Sequence, residues 1–546
     1  MANRRLIYKT LTAIISGIII GYAIGNGWYY VTDVTLIVAY AFIFLEKYLH
    51  AETIFAILLA ASLPWVNEFG YGPFELGFTV YPAYIFAFFG MAFMTRNMIK
   101  TKKYPFFFTS IDKYLLLLLY VLIISTVQSR FIPPLPDIPQ ASANSIFNKI
   151  PWIRSFAQVA AILYMALIYF FVVNAIRTKR EFIIVLKTLF FSGAILSIYG
   201  VISYSLQYNC NFLGDPYNLY YGNFSGYFNT MKKWFGTSPI YTNGLGNKRI
   251  SAFFPEPMLL SMYLVSFAPI ACSLILVKQK GKNRFCLLGV ILLTLLTLFL
   301  TFSRSGWLAF FASIIIIAIF HSDRFKRNKK KFIFCALIFL ISGFILILLI
   351  SGIFPNSLND IKVMLKFQSE GMLDFSRIKQ IMDGYSLTPS DYREAEWSAL
   401  LRINDSIAGI RMWLDHPFLG IGWGNYIFHY PKYDPHIVVW TWEKSTPVNS
   451  VVGNLYVNFL AETGLSGFVI FLLIIFKFIG VLVVAIKSAR DIFWQALLTG
   501  YLGSFVAVFI SYFFTPTFYF TFVWVMMAMA MVAVRLSKEE NYPGIP

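Results

Sequence analysis

Residues 468–486 read FVIFLLIIFKFIGVLVVAI, an apolar run broken by a single charge, Lys477. A bilayer core takes about 20 largely apolar residues as one helix, so this stretch reads as a membrane span. Runs of the same kind follow at 493–514 and 518–534. Others precede it at 285–302, 306–320 and 332–353, and further back at 77–94, 114–127, 159–175, 182–204 and 259–277. The first three candidates are 6–24, 34–45 and 54–65, the latter two short. The expectation is an all-α integral membrane protein of about 14 spans, with 12 or 13 as alternatives.

Composition agrees. Of 546 residues, 58% are hydrophobic and 13% charged, against a globular norm of about 25% charged. That leaves too little polar surface for a soluble multidomain protein, and it excludes a disordered chain, a coiled coil and a secreted disulfide scaffold. The net charge of +19 would point to nucleic acid in a soluble protein. In a membrane protein it has a plainer source, because cytoplasmic loops collect Lys and Arg, so no nucleic-acid partner is expected. Cys210, Cys272, Cys286 and Cys335 show no metal-ligand or paired spacing. The N-terminal MANRRLIYKTLTAIISGIIIGYAIGNG has a basic start but no clear cleavage site, and reads as the first span rather than a removed signal.

With the N-terminus inside, the basic turns at 96–103, 177–180, 278–284, 324–331, 487–490 and 535–538 all fall on one side. Both termini are then cytoplasmic. The chain divides into N-terminal helices (1–204), an outer loop (205–257), central helices (258–354), a large extracytoplasmic loop (355–452) and C-terminal helices (453–546). A loop of the last kind is uncommon unless functional or disordered, and this one is not disordered in composition. It holds EAEWSALLRINDSIAGIRMWLDHP, in which Leu400, Ile403, Ile407, Ile410 and Leu414 recur at helical steps. A shorter proline-rich loop, 128–158, says little.

Ionisable groups at membrane depth cost about 2.5–3.5 kcal/mol on insertion scales, so each needs a reason. Arg304, in TFSRSGWLAFF, sits between two apolar runs with almost no loop and no acidic residue nearby in sequence. Either it snorkels to headgroups or it meets a ligand. Arg249 and Glu256 lie in NKRISAFFPEPMLLSMYL, where Pro255 and Pro257 hold Glu256 at the mouth of a helix. There a carboxylate either suits the helix start or stands as a general base. Arg402, Asp405 and Arg411 precede Gly420, Gly422 and Gly424, a GxGxG that reads as a tight turn, with no strand around it to make a dinucleotide site. His416, His429 and His436 lack the partners of a metal site, and no metal or other cofactor is expected. The loop aromatics, among them Trp423, Tyr426, Tyr430 and Tyr433, suit an interfacial belt or loop core, and would also suit stacking on sugars. Arg249, Arg304 and Arg402 share the outer side, where arginines ask for a phosphorylated lipid.

The ordered set of TFSRSGWLAFF, a long outer loop with R-x8-RMWLDHPFLGIGWGNY, and NLYVNFLAETGLSG resembles the O-antigen ligase and polymerase superfamily. The resemblance implies a metal-independent C-type glycosyltransferase of the bacterial cytoplasmic membrane, acting on the periplasmic or outer face. Its donor would be an undecaprenyl-diphosphate-linked oligosaccharide, and chain-length regulator and flippase proteins would be its neighbours in the bilayer. Arg249, Arg304 and Arg402 would hold the donor diphosphate. The ligase branch carries a histidine where this chain has Gly453, so its catalytic histidine is missing here. The RISAFFPEP stretch resembles the polymerase branch, which makes Glu256 the candidate base, with Glu462 and Asp405 behind it. Asn454 and Tyr456 are candidate sugar or diphosphate contacts, while Glu462 could instead close the turn before Gly464. The expected activity is an inverting polysaccharide polymerase, of O-antigen or exopolysaccharide. The alternatives are a ligase acting on lipid A core, or a flippase. A transporter would show paired halves with matching broken helices, and no such symmetry is present.

Overall fold

The structure is a computed structural model, and it describes residues 49–64, 82–101, 106–132, 151–209, 240–242, 248–254, 256–276, 282–321, 394–435, 452–516 and 518–541. The expected spans at 6–24, 34–45 and 332–353 lie outside the described residues. The helices are α1 (Ala51–Ser62), α2 (Pro82–Thr101), α3 (Asp112–Gln128), α4 (Pro151–Ala175) and α5 (Lys179–Asn209). Next come α6 (Pro257–Ile275), α7 (Lys282–Leu300) and α8 (Arg304–Phe320). In the large loop stand α9 (Glu394–Asp415) and α10 (Tyr426–Tyr433), followed by α11 (Leu455–Ser488), α12 (Ile492–Ser511) and α13 (Thr521–Asn541). Among the described residues seven helices are long and apolar enough to cross a membrane, and α1, α7 and α8 contain shorter apolar segments. Among the described residues the one departure from an all-α reading is a pair of antiparallel strands, β1 (Ile240–Thr242) and β2 (Lys248–Ile250), in which Tyr241 pairs with Arg249.

Helix starts follow local chemistry. Pro257 opens α6 behind an extended Glu256, the position where a missing N–H does no harm. Ser303 caps α8 by accepting from Gly306 N, Asn454 caps α11 by accepting from Tyr456 N and Val457 N, and Asp491 caps α12 by accepting from Phe493 N. α11 is kinked at Gly464, whose φ of 61° and ψ of −163° leave the helical region.

The centre of the bundle is α12, wedged between α6 and α8. A Cβ on Gly500 would lie 2.6 Å from Ile270 Cα, and one on Gly503 3.1 Å from the Ser313 carbonyl. Lipid tails are as apolar as leucine, so helices in a bilayer associate by such close backbone approach rather than by hydrophobic burial. Elsewhere rings fill glycine notches: Phe171 occupies the Cβ position of Gly90, and Phe267 that of Gly193.

Four of the expected basic turns share one end of this bundle. Lys179 Nζ lies 3.0 Å from Glu540 and 3.6 Å from Asp491. The Arg535 guanidinium donates to the carbonyls of Val173 and Ile176 and covers the Phe107 ring. Thr53 donates to the Ala175 carbonyl, and neighbouring Glu52 accepts from Asn97 on the 96–103 turn. At the other end gather β2, the start of α6, the start of α8, α9 and the start of α11.

Candidate functional site

Three helix starts and a loop helix meet at that second end. Arg249, on β2, donates from Nε to the Thr301 carbonyl at 2.8 Å and from Nη2 to the Phe302 carbonyl at 3.1 Å. Those carbonyls belong to the turn that leads into α8. Phe302 has a φ of 48° and Ala252, just past β2, a φ of 50°. Among the described residues these are the two positive φ values outside glycine. Each costs on the order of 1–3 kcal/mol, persists only where its surroundings hold it, and belongs to the kind of strain that collects at working sites. Here the Arg249 fork holds one of them.

The turn delivers Arg304 as the first residue of α8. Behind it, Ser261 Oγ donates to the Met258 carbonyl at 2.7 Å and lies 3.0 Å from the Ser303 hydroxyl. A Cβ on Gly306 would come within 2.5 Å of Ser261 Cβ. The mouths of α6 and α8 are thus locked together, which fixes Arg304 relative to Glu256. Glu256 is exposed, and its side chain makes no cap bond, although its carbonyl accepts from Leu259 N and Leu260 N.

From the other side α9 brings Arg402, partly buried, with Nη2 at 3.6 Å from Met258 Sδ. Burial pushes the Arg402 guanidinium below its ordinary value. Glu256 opposes that shift, Arg304 adds to it, and Asp405 opposes it again. It remains a cation, as a guanidinium does in proteins. Glu256, Arg304 and Asp405, drawn from three elements, therefore each lie within electrostatic reach of Arg402. Two arginines held near each other in part-buried surroundings have the chemistry to receive an anion with more than one charge.

Gly453 belongs to the same site. A Cβ there would sit 3.1 Å from Arg402 Cγ, so the bare backbone makes room for the arginine stem.

The remaining candidate residues have other partners. Asn454 Oδ1 accepts from the backbone of α11, and Tyr456 donates its hydroxyl to the Phe509 carbonyl at 2.8 Å. Asp405 is only 2% exposed, and its carbonyl accepts from the Tyr426 hydroxyl. Glu462, at 0% exposure, accepts from Tyr426 N at 3.0 Å and from Asn458 Nδ2 at 3.1 Å. Through its backbone carbonyl it accepts from Gly422 N and Ser125 Oγ. It holds the GxGxG turn rather than the turn before Gly464.

That GxGxG is a structural turn. Gly420, Gly422 and Gly424 all have positive φ, and a Cβ on Gly420 would meet Glu462 C at 2.4 Å. Trp423, Tyr426, Tyr430 and Tyr433 are buried and form no belt: the three tyrosines lie in the core of the loop, and Trp423 packs into the bundle against Phe459 and Tyr519. Burial, with help from His416 and Lys432, pushes His429 down to about 4, so it is neutral at neutral pH. Among the described residues no three His, Cys, Asp or Glu side chains gather as metal ligands.

Sequence reasoning missed Arg154. It is buried, donates from Nε to the Gly424 carbonyl at 2.9 Å, and is the cation facing Glu462. The test that singled out Arg304, an ionisable side chain beside an apolar run, applies equally to PWIRSFAQVAAI. A span read from hydropathy as beginning at 159 leaves Arg154 in a loop, whereas the helix begins at Pro151.

Residues 289–472 match a family model described as O-antigen ligase. The match spans a third of the chain and takes in Arg304, Arg402, Gly453 and Glu462, while Arg249 and Glu256 precede it. No curated protein matches the chain.

Proposed function

We propose, on the match of residues 289–472 to the O-antigen ligase and polymerase superfamily of glycosyltransferase-like enzymes, that the chain is a polysaccharide polymerase. It joins undecaprenyl-diphosphate-linked repeat units at the outer face of the bacterial cytoplasmic membrane. The observation that carries this reading is the geometry at one end of the bundle, where Arg402 lies against Met258, two residues after Glu256, and Ser261 of the same helix start bonds to Ser303, the residue before Arg304. Four of the basic turns lie at the opposite end, which supports cytoplasmic termini and an outward-facing cleft. The built outer loop of α9 and α10 on a helical bundle suits a C-type glycosyltransferase.

In this reading an acceptor hydroxyl attacks the donor anomeric carbon from the face opposite the leaving group. The carbon–oxygen bond to the diphosphate breaks, and the lipid diphosphate leaves with its electrons. Arg304 and Arg402 meet the charge growing on that leaving group, which is where preorganised cations act most strongly. No metal is required for the step. Glu256, exposed at the mouth of α6, takes the hydroxyl proton. Arg249 acts on Arg304 through the Thr301–Phe302 turn, and Asp405 and Glu462 hold the loop that carries Arg402. Asn454 stays at the rim, beside Gly453, with Tyr456 behind it.

The positioning role of Arg249 predicts a particular kinetic signature. Arg249→Ala lowers kcat about 10-fold with little change in the KM for donor, since a misplaced Arg304 is felt in the transition state. Arg249→Lys, able to reach one carbonyl, recovers part of the loss. A rise in KM at constant kcat would instead make Arg249 a direct donor contact.

Gly453 supports polymerase over ligase. It offers no proton acceptor, and its backbone is the wall against which Arg402 lies. Gly453→His is therefore expected to abolish transfer by displacing Arg402, and to create no activity toward lipid A core. The purified protein offered lipid-diphosphate repeat units and lipid A core together should extend the former alone. Glycan appearing on lipid A core would establish the ligase instead.

A further inference from the structure

The apolar stripe of α9 points outward. Its inward face is Asn404, Asp405, Ala408 and Met412, all buried. Ile403 and Ile407 are half-buried and Ile410 is exposed, while Leu414 stands 64% and Phe418 75% exposed. A helix of a water-soluble loop would turn this stripe to its core. Here the core side is mixed: Ala408 and Met412 pack in the loop core, and Asn404 Nδ2 donates to the Tyr430 hydroxyl and to Asp434 Oδ1, while the larger apolar side chains of the stripe stay outside.

The outward stripe continues a surface of known character. Leu465, Val469, Leu473 and Phe476 are exposed at helical spacing along α11, a candidate membrane span, so this ridge faces lipid. Phe418 adjoins its upper end: Leu465 N donates to the Pro417 carbonyl at 2.7 Å, and Ser466 N to the Phe418 carbonyl at 3.2 Å. On the other flank of α9 stand Arg411 and Asp415, both exposed, with Asp415 paired to Lys432 at 3.4 Å and to the Tyr433 hydroxyl at 2.7 Å. An apolar edge beside a charged edge is the profile of a helix lying in a bilayer interface.

We propose that the C-terminal half of α9 and the turn after it dock on the membrane surface. Ile410, Leu414 and Phe418 enter the apolar boundary of the leaflet that the Leu465 ridge meets, and Arg411, Asp415 and Lys432 remain among headgroups and water. The occupant of this face is the lipid itself. Arg402 lies eight residues before Ile410 on the same helix, about 12 Å along its axis. Docking α9 thereby sets the height of Arg402 above the hydrocarbon, at the level where the head of a lipid-linked substrate emerges.

The test uses the full-length chain with its four cysteines replaced, reconstituted in phosphatidylethanolamine–phosphatidylglycerol vesicles. Single spin labels are placed at Ile410→Cys, Arg411→Cys, Leu414→Cys, Asp415→Cys and Phe418→Cys. Collision with oxygen, which concentrates in hydrocarbon, is compared with collision with a water-soluble nickel chelate. Labels at 410, 414 and 418 should favour oxygen, and those at 411 and 415 nickel. Nickel-dominated signals at all five would place the face in water and overturn the inference. Labels at 410, 414 and 418 occluded from both probes would mean a protein partner covers the face, and would overturn it equally. None of these readings depends on catalysis, so failure here leaves the polymerase reading untouched, and failure of the polymerase reading leaves this one.

Discussion

Arg304→Ala and Arg402→Ala each lower glycosyl transfer on the order of 10²–10³-fold, the loss seen when one preorganised donor is removed from a developing oxyanion. The effect falls on kcat, because the two guanidinium groups face charge that exists fully only as the diphosphate departs. Lysine at either position restores charge but not the planar fork, so recovery is partial. The double variant is expected to be little worse than either single one, since groups that act together on one leaving group are strongly non-additive. Initial rates across a donor concentration series, with size-exclusion profiles to verify folding, check each of these outcomes. Losses that multiply in the double variant would mean the two arginines serve separate steps.

The second large effect lies in the scaffold. Gly464→Ala forces a Cβ to 2.4 Å from Phe418 C, at a φ of 61° that side chains avoid. Backbone cannot swing aside as a side chain does. Strain and overpacking together amount to about 3–5 kcal/mol, enough to threaten folding. Gly420→Ala meets the same obstacle from the other side, against Glu462 C at 2.4 Å. Both variants should lower the thermal unfolding midpoint in detergent sharply and lose transfer with it. Gly480→Ala is the control in the same helix: nothing lies within 4 Å of its Cβ position, and alanine is the better helix former. It should unfold at or slightly above the parent temperature.

The spans were legible because lipid makes one demand, a continuous apolar helix, and hydropathy reads that demand directly. Hence the runs at 114–127, 159–175, 182–204, 259–277, 285–302, 306–320, 493–514 and 518–534 each have a helix of the bundle over most of their length. Boundaries were less visible. α4 begins at Pro151 and α11 at Leu455, well before the uniformly apolar stretches, because polar residues near those starts bond inside the protein, Arg154 to the Gly424 carbonyl and Asn458 to Glu462. The kink at Gly464 follows no periodicity; it exists because the Pro417–Phe418 carbonyls bond to Leu465 N and Ser466 N. Arg304 could be singled out from sequence because a charge beside two apolar runs is conspicuous. That Arg402 would join it, from a helix about a hundred residues later, is a tertiary fact with no local signature. Asn454 shows the reverse: an asparagine ahead of an apolar run is an ordinary helix cap, and the structure uses it as one. In α9 the periodicity was legible but its direction was not, since a stripe facing lipid and a stripe facing a core read alike.

The central claim is metal-independent glycosyl transfer at the arginine cleft, and one reconstitution tests it most directly. The purified chain is placed in liposomes with synthetic undecaprenyl-diphosphate oligosaccharide and excess EDTA, and lipid-linked products are resolved by size. The account predicts a ladder of lengthening chains from the wild-type protein and its near-complete loss in Arg304→Ala. Carrier that crosses between leaflets unchanged, with no ladder, would contradict the account and make the protein a transporter.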